Sequence, residues 1–388
     1  MSDATKIKYE NVQQVLQVFR SADRLTKAEI TQETGLTGVT VNSVVSRLEA
    51  SGIVANLGLS PSNGGRKASL FSINPDYGII CGVSIRTSHI AVGLMDFSMV
   101  LKYSTQFEWQ LGRHSVEETV NQIATFIKSM MKEHGSGRLL AVGVNVPGPA
   151  NYHNGEVLSL RGFPMWKHIP LARLLSDALS VPVMVDRDVN SGVELIRQIE
   201  RLKGGMNMIY IAVDGGIGCG VMINGLTYRG NRGIAGEMGH ITMLNNHQRC
   251  ACGNIGCLEL SASDFAILRR CREVLHLDES VPLSVEDAVQ LYRDGNEDMI
   301  AAFRQAVSDL AVAIRNMFML YDPDVAYLRC RWLNAEDPLY FRLLEEVYIG
   351  NTLLEQNSIR IVLLKEEHFV LRSAGVIAWA DIMSKLVV

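Results

Sequence analysis

The run from Gly236-Glu-Met-Gly-His240 through Cys250-Ala-Cys-Gly-Asn-Ile-Gly-Cys257-Leu-Glu259 constrains this 388-residue chain more than any other stretch. Thiolates at Cys-x-Cys-x4-Cys spacing can turn onto one tetrahedral ion, which makes Cys250, Cys252 and Cys257 candidate metal ligands. His240 would complete a closed Cys3His set with no position left for water, a pattern of structural rather than catalytic zinc. His247 is a rival fourth ligand, nearer in sequence to Cys250, and spacing alone does not choose between the two. Glu237 and Glu259 flank the cysteines, and zinc rarely needs them, so they remain available to another ligand.

The chain is long enough for two or three domains with substantial cores. A formal net charge of -4 gives no whole-protein case for nucleic-acid binding, so any such role must rest on a local patch. The N-terminus lacks the apolar core of a signal peptide, and no apolar run is long enough to cross a bilayer. Seven cysteines, an odd number with three clustered, point to a reducing cytoplasm rather than a disulfide framework. Cys81, Cys219, Cys271 and Cys330 are scattered and read as inert structural residues.

The first 76 residues have an outline of their own. Tyr9 to Ala22 carries Val12, Val15, Leu16, Val18 and Phe19 close to one helical stripe. Thr26 and Glu29 form a capping box for a short helix that runs to Thr34 and stops at Gly35. A third helix, Val39 to Ser51, turns Val41, Val44, Val45 and Leu48 inward and Thr40, Asn42, Ser43, Ser46 and Arg47 outward. Strand-like runs at Gly52–Asn56 and Phe71–Asn74 then bracket a flexible tip ending in Gly65-Arg66-Lys67. This is the pattern of a winged helix-turn-helix. Its third helix would lie in a DNA major groove, where Thr40, Asn42, Ser43 and Arg47 reach base edges or phosphates. The wing cations Arg66 and Lys67 would touch phosphate or the minor groove. The plainer alternative is a small helical interaction domain with a solvated polar face, and its near-zero net charge favours that alternative. The placement of Arg47, Arg66 and Lys67 favours DNA.

Asn74-Pro75-Asp76-Tyr77-Gly78 marks a boundary. Beyond it, apolar strands at 79–92, 139–146, 181–186 and 208–213 alternate with helical patterns at 116–132 and 171–179. A late helix (310–320), strand (360–364) and helix (374–386) follow. Alternation of this kind argues for α/β architecture. The expected division is a head (1–76), a first lobe (77–187), and a second lobe (188–388) that carries the cysteine knuckle, its C-terminal helix returning to the first lobe.

Gly236-Glu-x-Gly-His240 followed by Cys-x-Cys-Gly-x-x-Gly-Cys-x-Glu resembles the signature of the ROK family of repressors, open-reading-frame proteins and sugar kinases. Pro147-Gly148-Pro149, Gly162-Phe-Pro-x-Trp166 and Tyr228-Arg-Gly230 resemble further family landmarks in the right order. The resemblance covers nearly the whole chain. It implies an actin-like or ribonuclease-H-like pair of lobes with a sugar in the cleft, and the winged head resembles the repressor branch. It also favours His240 as the fourth zinc ligand, and maps the sugar contacts onto Glu237, His240 and Glu259. Asp188 stands at the position of the family's general base, and Arg187 replaces an asparagine that contacts the sugar. Arg187 would recruit a phosphorylated or acidic sugar or merely neutralise Asp186.

The nucleotide side departs from the family pattern. Kinases carry an aspartate and a Gly-Gly-Thr-Lys loop after the first strand, because phosphates need close backbone N–H groups. This chain has Ser84-Ile85-Arg86-Thr87-Ser88-His89 there. Asp214-Gly215-Gly216-Ile217-Gly218-Cys219-Gly220 resembles the second phosphate loop, with an acid at its head. Arg329-Cys330 stands where kinases have Gly-Gly beside the adenosine. These three changes read as independent losses. The expectation is therefore a non-catalytic, sugar-responsive repressor, binding operator DNA as a homodimer or homotetramer. A sugar kinase that keeps a DNA-binding head, and a ligand-independent DNA-binding protein, are the alternatives.

Overall fold

A computed structural model of the chain describes residues 3–20, 22–60, 67–160, 162–202, 204–350, 352–354 and 359–386. The chain divides into two compact units, one formed by residues up to Leu202 with those from His368 onward, the other by residues 203–367.

The first unit begins with α1 (Asp3–Arg20), β1 (Leu25–Thr26), α2 (Lys27–Thr34) and α3 (Gly38–Ala50). Thr26 Oγ1 accepts from the Glu29 N–H while the Glu29 carboxylate accepts from the Thr26 N–H. A cap of this kind stabilises a helix start by about 1 kcal/mol. Gly35, at φ 69, ends α2 in the left-handed conformation that the following turn requires. Val12, Val15, Leu16 and Phe19 of α1 and Ile30 of α2 are buried with Val41, Val44, Val45 and Leu48 of α3. A small antiparallel sheet, with β3 (Ser69–Ile73) between β1 and β2 (Val54–Leu59), completes the head. The wing tip at 61–66 lies outside the described residues, and Arg66 with it.

An antiparallel meander follows: β4 (Ile79–Ile85), β5 (His89–Asp96) and β6 (Leu101–Glu108). Then come α4 (Val116–His134), β7 (Leu139–Val146), a small sheet of β8 (Ala150–Asn151), β9 (Glu156–Leu160) and β10 (Phe163–Ile169), α5 (Leu171–Leu179), β11 (Val183–Arg187) and α6 (Asp188–Ile199). The main sheet runs β11-β7-β4-β5-β6, with β7 parallel to both β4 and β11. Its apolar strands read as continuous buried runs because both faces are covered. Part of that cover is α12 (Phe369–Lys385), which returns from the end of the chain onto β4, β7 and α6. Gly143 is obligatory here, since a Cβ on it would stand 1.7 Å from the Ala374 carbonyl oxygen. Beneath the crossing, buried Asn145 donates to the Val370 carbonyl and to Ser373 Oγ and accepts from Ser191 Oγ, tying β7, α12 and α6 together. The expected lobe boundary at 188 is therefore displaced to the end of α6 and its following turn. That helix leaves β11 without a break and packs on α12, so it belongs to the first unit.

The head and the body of this unit share contacts. Tyr9 Oη donates to the Ser384 carbonyl at 2.5 Å, and Gln13 Nε2 to the carbonyls of Met383 and Leu386 at 3.2 and 3.3 Å. These carbonyls lie at the end of α12, where a helix has no N–H donors of its own for its last carbonyls. The Arg20 guanidinium carbon lies 5.3 Å from the centre of the Trp379 ring.

The second unit contains β12 (Met208–Val213), β13 (Ile217–Ile223), β14 (Leu226–Thr227), α7 (Glu259–Ala262), α8 (Asp264–Leu275), α9 (Val285–Arg293), α10 (Glu297–Tyr321), β15 (Val325–Cys330), α11 (Pro338–Tyr348) and β16 (Arg360–Leu363). Its sheet order, β14-β13-β12-β15-β16, repeats that of the first unit: three meandering strands, then two added in parallel. The ribonuclease-H-like plan is thus used twice. Phe303, Val307, Leu310, Ile314 and Phe318 of α10 recur at helical spacing and are buried in the core of this unit. Among the described residues no helix is long and apolar enough to cross a membrane.

Candidate functional site

His240, Cys250, Cys252 and Cys257 converge in the second unit, with one ligand atom from each within 4.8 Å of all the others. Cys250 Sγ lies 3.8 Å from His240 Nδ1, and Cys252 Sγ 3.6 Å from Cys257 Sγ. A tetrahedral zinc with Zn–S bonds of about 2.3 Å separates its ligand atoms by about 3.8 Å, so the residues fit the ion. The exposed His247 lies outside the group. Burial and the adjacent thiols of Cys252 and Cys250 push Cys257 up to about 12. Thiols this close share negative charge only when a cation sits among them.

The backbone makes the knuckle. The Cys250 N–H donates to the Asn254 carbonyl at 2.8 Å, and the Met243 N–H to that of Gly256 at 2.7 Å. Upstream, Gly236 adopts φ 79 and its carbonyl accepts from the Cys219 N–H of β13; a Cβ on it would lie 1.8 Å from the Cys219 oxygen. That close approach explains the glycine before Glu237. His240 turns Nδ1 to the sulfurs and Nε2 toward Glu237 Oε2 at 3.7 Å. Glu259 opens α7 with its carboxylate against Gly216, in the turn between β12 and β13. Glu237, His240 and Glu259 thus flank one knuckle, each half-buried.

Asp188 and Arg187 belong to the first unit, at the junction of β11 and α6. Asp188 Oδ1 accepts from the Val189 N–H at 2.8 Å, and Oδ2 from Arg86 Nη1 at 2.7 Å. Arg86 comes from the β4–β5 turn, closed by a bond from the Arg86 N–H to the His89 carbonyl. Ser84 is buried on β4. Arg187 is buried at the N-cap of α6, and the fully buried Asp186 accepts from its N–H and from Asn190 Nδ2.

In the second unit, Arg329 of β15 donates to Asp214 Oδ2 at 3.0 Å and to Tyr210 Oη at 3.1 Å. Burial pulls the Arg329 guanidinium down, but Tyr210 and Asp214 together outweigh it and leave the group raised. Asp214 at the head of the second glycine loop and Arg329 of β15 therefore form an ion pair, with Arg329 also held by the Tyr210 hydroxyl. The acid just beyond β12 is met by a cation on the parallel β15.

On the head, Asn42 and Ser43 are exposed on α3, while Thr40 and Arg47 are half-buried on the same helix. The Thr40 hydroxyl lies 2.9 Å from that of Thr37, and Asn42 Oδ1 accepts from Lys27 Nζ at 2.6 Å. Lys67 is exposed at the start of the return toward β3.

The ROK family model matches residues 80–377. The chain belongs to the ROK family. It is 28% identical over 331 residues to the xylose repressor of Bacillus subtilis (strain 168), covering 85% of this chain and 84% of that one. It is 26% identical over 313 residues to the glucokinase of Thermotoga maritima, covering 77% and 96%. Among solved structures, a ROK-family transcriptional regulator, a homologue of the E. coli MLC protein, superposes with TM-score 0.79 at 18% identity over 97% of each chain. A ROK glucokinase of Streptomyces griseus gives 0.65 at 21% identity, covering 78% of this chain and 99% of its own.

Within the family plan, sequence reasoning missed the two arginine clasps, Arg86–Asp188 and Arg329–Asp214, whose members are 102 and 115 positions apart. Each arginine is visible in the sequence, but only the folded chain shows which acid it meets.

Proposed function

We propose that this protein is a sugar-responsive transcriptional repressor of the cytoplasm, in which the ROK domain binds a sugar and thereby alters the operator affinity of the winged head. The observation that carries this reading is the docking of the head on α12, the helix that also packs against α6, whose first residue is Asp188. A ligand that reorients α6 acts on the surface against which α1 is bonded. Such coupling requires the sugar to bind the two head arrangements unequally.

Asp188, Arg187, Glu237, His240 and Glu259 are the proposed sugar contacts. Carboxylates suit hydroxyls because each accepts in defined directions. The names of the related repressors make xylose the first sugar to test. Zinc held by His240, Cys250, Cys252 and Cys257 would supply structure: it fixes the loop and the His240 ring, leaving Nε2 and Glu237 for the sugar. Thr40, Asn42, Ser43, Arg47, Lys67 and Arg66 are the proposed DNA contacts. A homodimer or homotetramer would pair two heads on two half-sites.

We read the chain as non-enzymatic. The arginine clasp on Asp188 leaves the carboxylate committed to a cation, and a serine at 84 offers no carboxylate to Mg²⁺. The test is an operator titration with and without xylose. Weaker operator binding in the presence of sugar is the expected result. An isotherm indifferent to xylose, glucose and their phosphates would overturn the sensory reading, and turnover of ATP with a hexose would overturn the non-enzymatic one.

A further inference from the structure

The outward face of α3 carries a residue for which neither the fold nor the polar DNA contacts has a use. Val39, in the first turn, is 83% exposed, beside Gly38, whose missing side chain leaves open space around it. A β-branched residue is a poor choice for an exposed helix position, since it loses side-chain freedom there without packing in return. Its polar neighbours Thr40 and Asn42, both proposed DNA contacts, are also held in place within the head. The Thr40 hydroxyl meets that of Thr37, and Asn42 accepts from Lys27. Val39 is thus the exposed apolar side chain at the end of α3 that a groove would meet first.

Resting on the DNA-binding reading above, we propose that Val39 is a specificity-determining residue that contacts the C5 methyl of a thymine in the major groove. The chemistry commits it to that group. The major groove offers donors and acceptors at every base pair, but its apolar feature is the thymine methyl, met by small apolar side chains. An isopropyl group among phosphates or amines would lose water without gaining a partner. Thymine at this position is thus distinguished from cytosine by an apolar contact, while Ser43, exposed one turn further on, is left for a polar base edge.

The test uses the full chain. Duplexes are selected from a random pool, and each thymine of the selected sequence is then replaced singly by uracil, which pairs identically and lacks only the methyl. Affinities are measured for the wild type and Val39→Ala. The expected result is a thymine in each half-site at which uracil weakens wild-type binding about fourfold, the worth of one buried methyl-sized group. Val39→Ala should bind the thymine duplex about fourfold more weakly and be indifferent to uracil there. Equal losses in both proteins at every position, or none in either, overturn the inference while leaving DNA binding intact. A chain that enriches no duplex overturns the DNA-binding reading and this one with it.

Discussion

Arg86 Nη1 lies 2.7 Å from Asp188 Oδ2, joining the β4–β5 turn to the first residue of α6. With Oδ1 accepting from the Val189 N–H, both carboxylate oxygens are engaged within the chain. Carboxylate oxygens have room for more than one donor each, so a sugar hydroxyl can join this arrangement without breaking it.

Asp188→Asn should therefore separate binding from folding. Both side chains keep about a fifth to a quarter of their surface exposed, and ion pairs at such sites contribute about 0–1 kcal/mol. The melting temperature without ligand is expected to move by a few degrees at most, while the stabilisation by added xylose disappears. A sugar-dependent thermal shift of wild-type size in Asp188→Asn would remove Asp188 from the site.

Metal removal should act through folding. The purified chain is expected to carry about one zinc, and chelation or Cys252→Ala to lower the melting temperature and abolish the sugar response together. His247→Ala should keep both its metal and its stability, because His247 stands outside the cluster. Metal analysis with thermal melts of the two variants checks this, and loss of zinc from His247→Ala would reassign the fourth ligand.

Much of this architecture is legible from local chemistry. The capping boxes at Thr26 and Ser115 announce their helices, and both form as the sequence reading expects. Strands β7 and β12 are continuous apolar runs with Pro or Gly after them, and their limits coincide with those expected. The grouping of His240 with Cys250, Cys252 and Cys257 is legible because these residues are close in sequence. What sequence hides is pairing at a distance. The helix α6 escapes notice because Asp188-Val-Asn-Ser-Gly-Val opens with polar residues; they turn inward, and Asn190 and Ser191 are held by Asp186 and Asn145. Local polarity reads as a loop, whereas a buried hydrogen-bond network makes it a helix start. The arginine clasps are hidden for the same reason.

Asp264 gives the second unit a pH dependence of its own. Its side chain is 5% exposed, and Oδ1 meets no hydrogen-bond donor among the described residues. Burial first, and then the charge of Asp214, push it up to about 7 against the pull of Arg331 and Arg329. Between about pH 4 and 7 the unfolded chain has released this proton and the folded chain still holds it. The contribution to stability therefore falls as pH rises through that window and levels off above it. Asp264→Asn removes the term. The variant should gain on the wild type from pH 5 to 7.5, by on the order of a few kcal/mol in all, and hold a constant lead above that. Urea unfolding across this range checks it; a difference independent of pH would show that the proton stays with Asp264 in neither state.

The junction of head and body makes the last prediction, and it bears on how a sugar signal reaches DNA. Arg20, at the end of α1, lies over Trp379 of α12, and burial together with the charge of Arg197 draws its guanidinium down to about 10. Arg197 and Glu194 both lie on α6, the helix that Asp188 begins, and Arg197 donates to Glu194 at 2.7 Å. Arg20 is thus sensitive to the far end of the helix whose near end is the proposed sugar contact. Replacing Arg20 with methionine keeps an apolar stem on the Trp379 ring and deletes the charge that α6 can act upon. Operator affinity without sugar should change little. The sugar-induced weakening, which for an allosteric coupling of ordinary size is about 5- to 150-fold, should shrink toward unity. Xylose affinity itself should persist, measured by calorimetry on the same preparation. If Arg20→Met retains the full sugar effect on operator binding, the signal does not pass through α6 and this arginine, and the hydrogen bonds of Tyr9 and Gln13 to the end of α12 become the route to test.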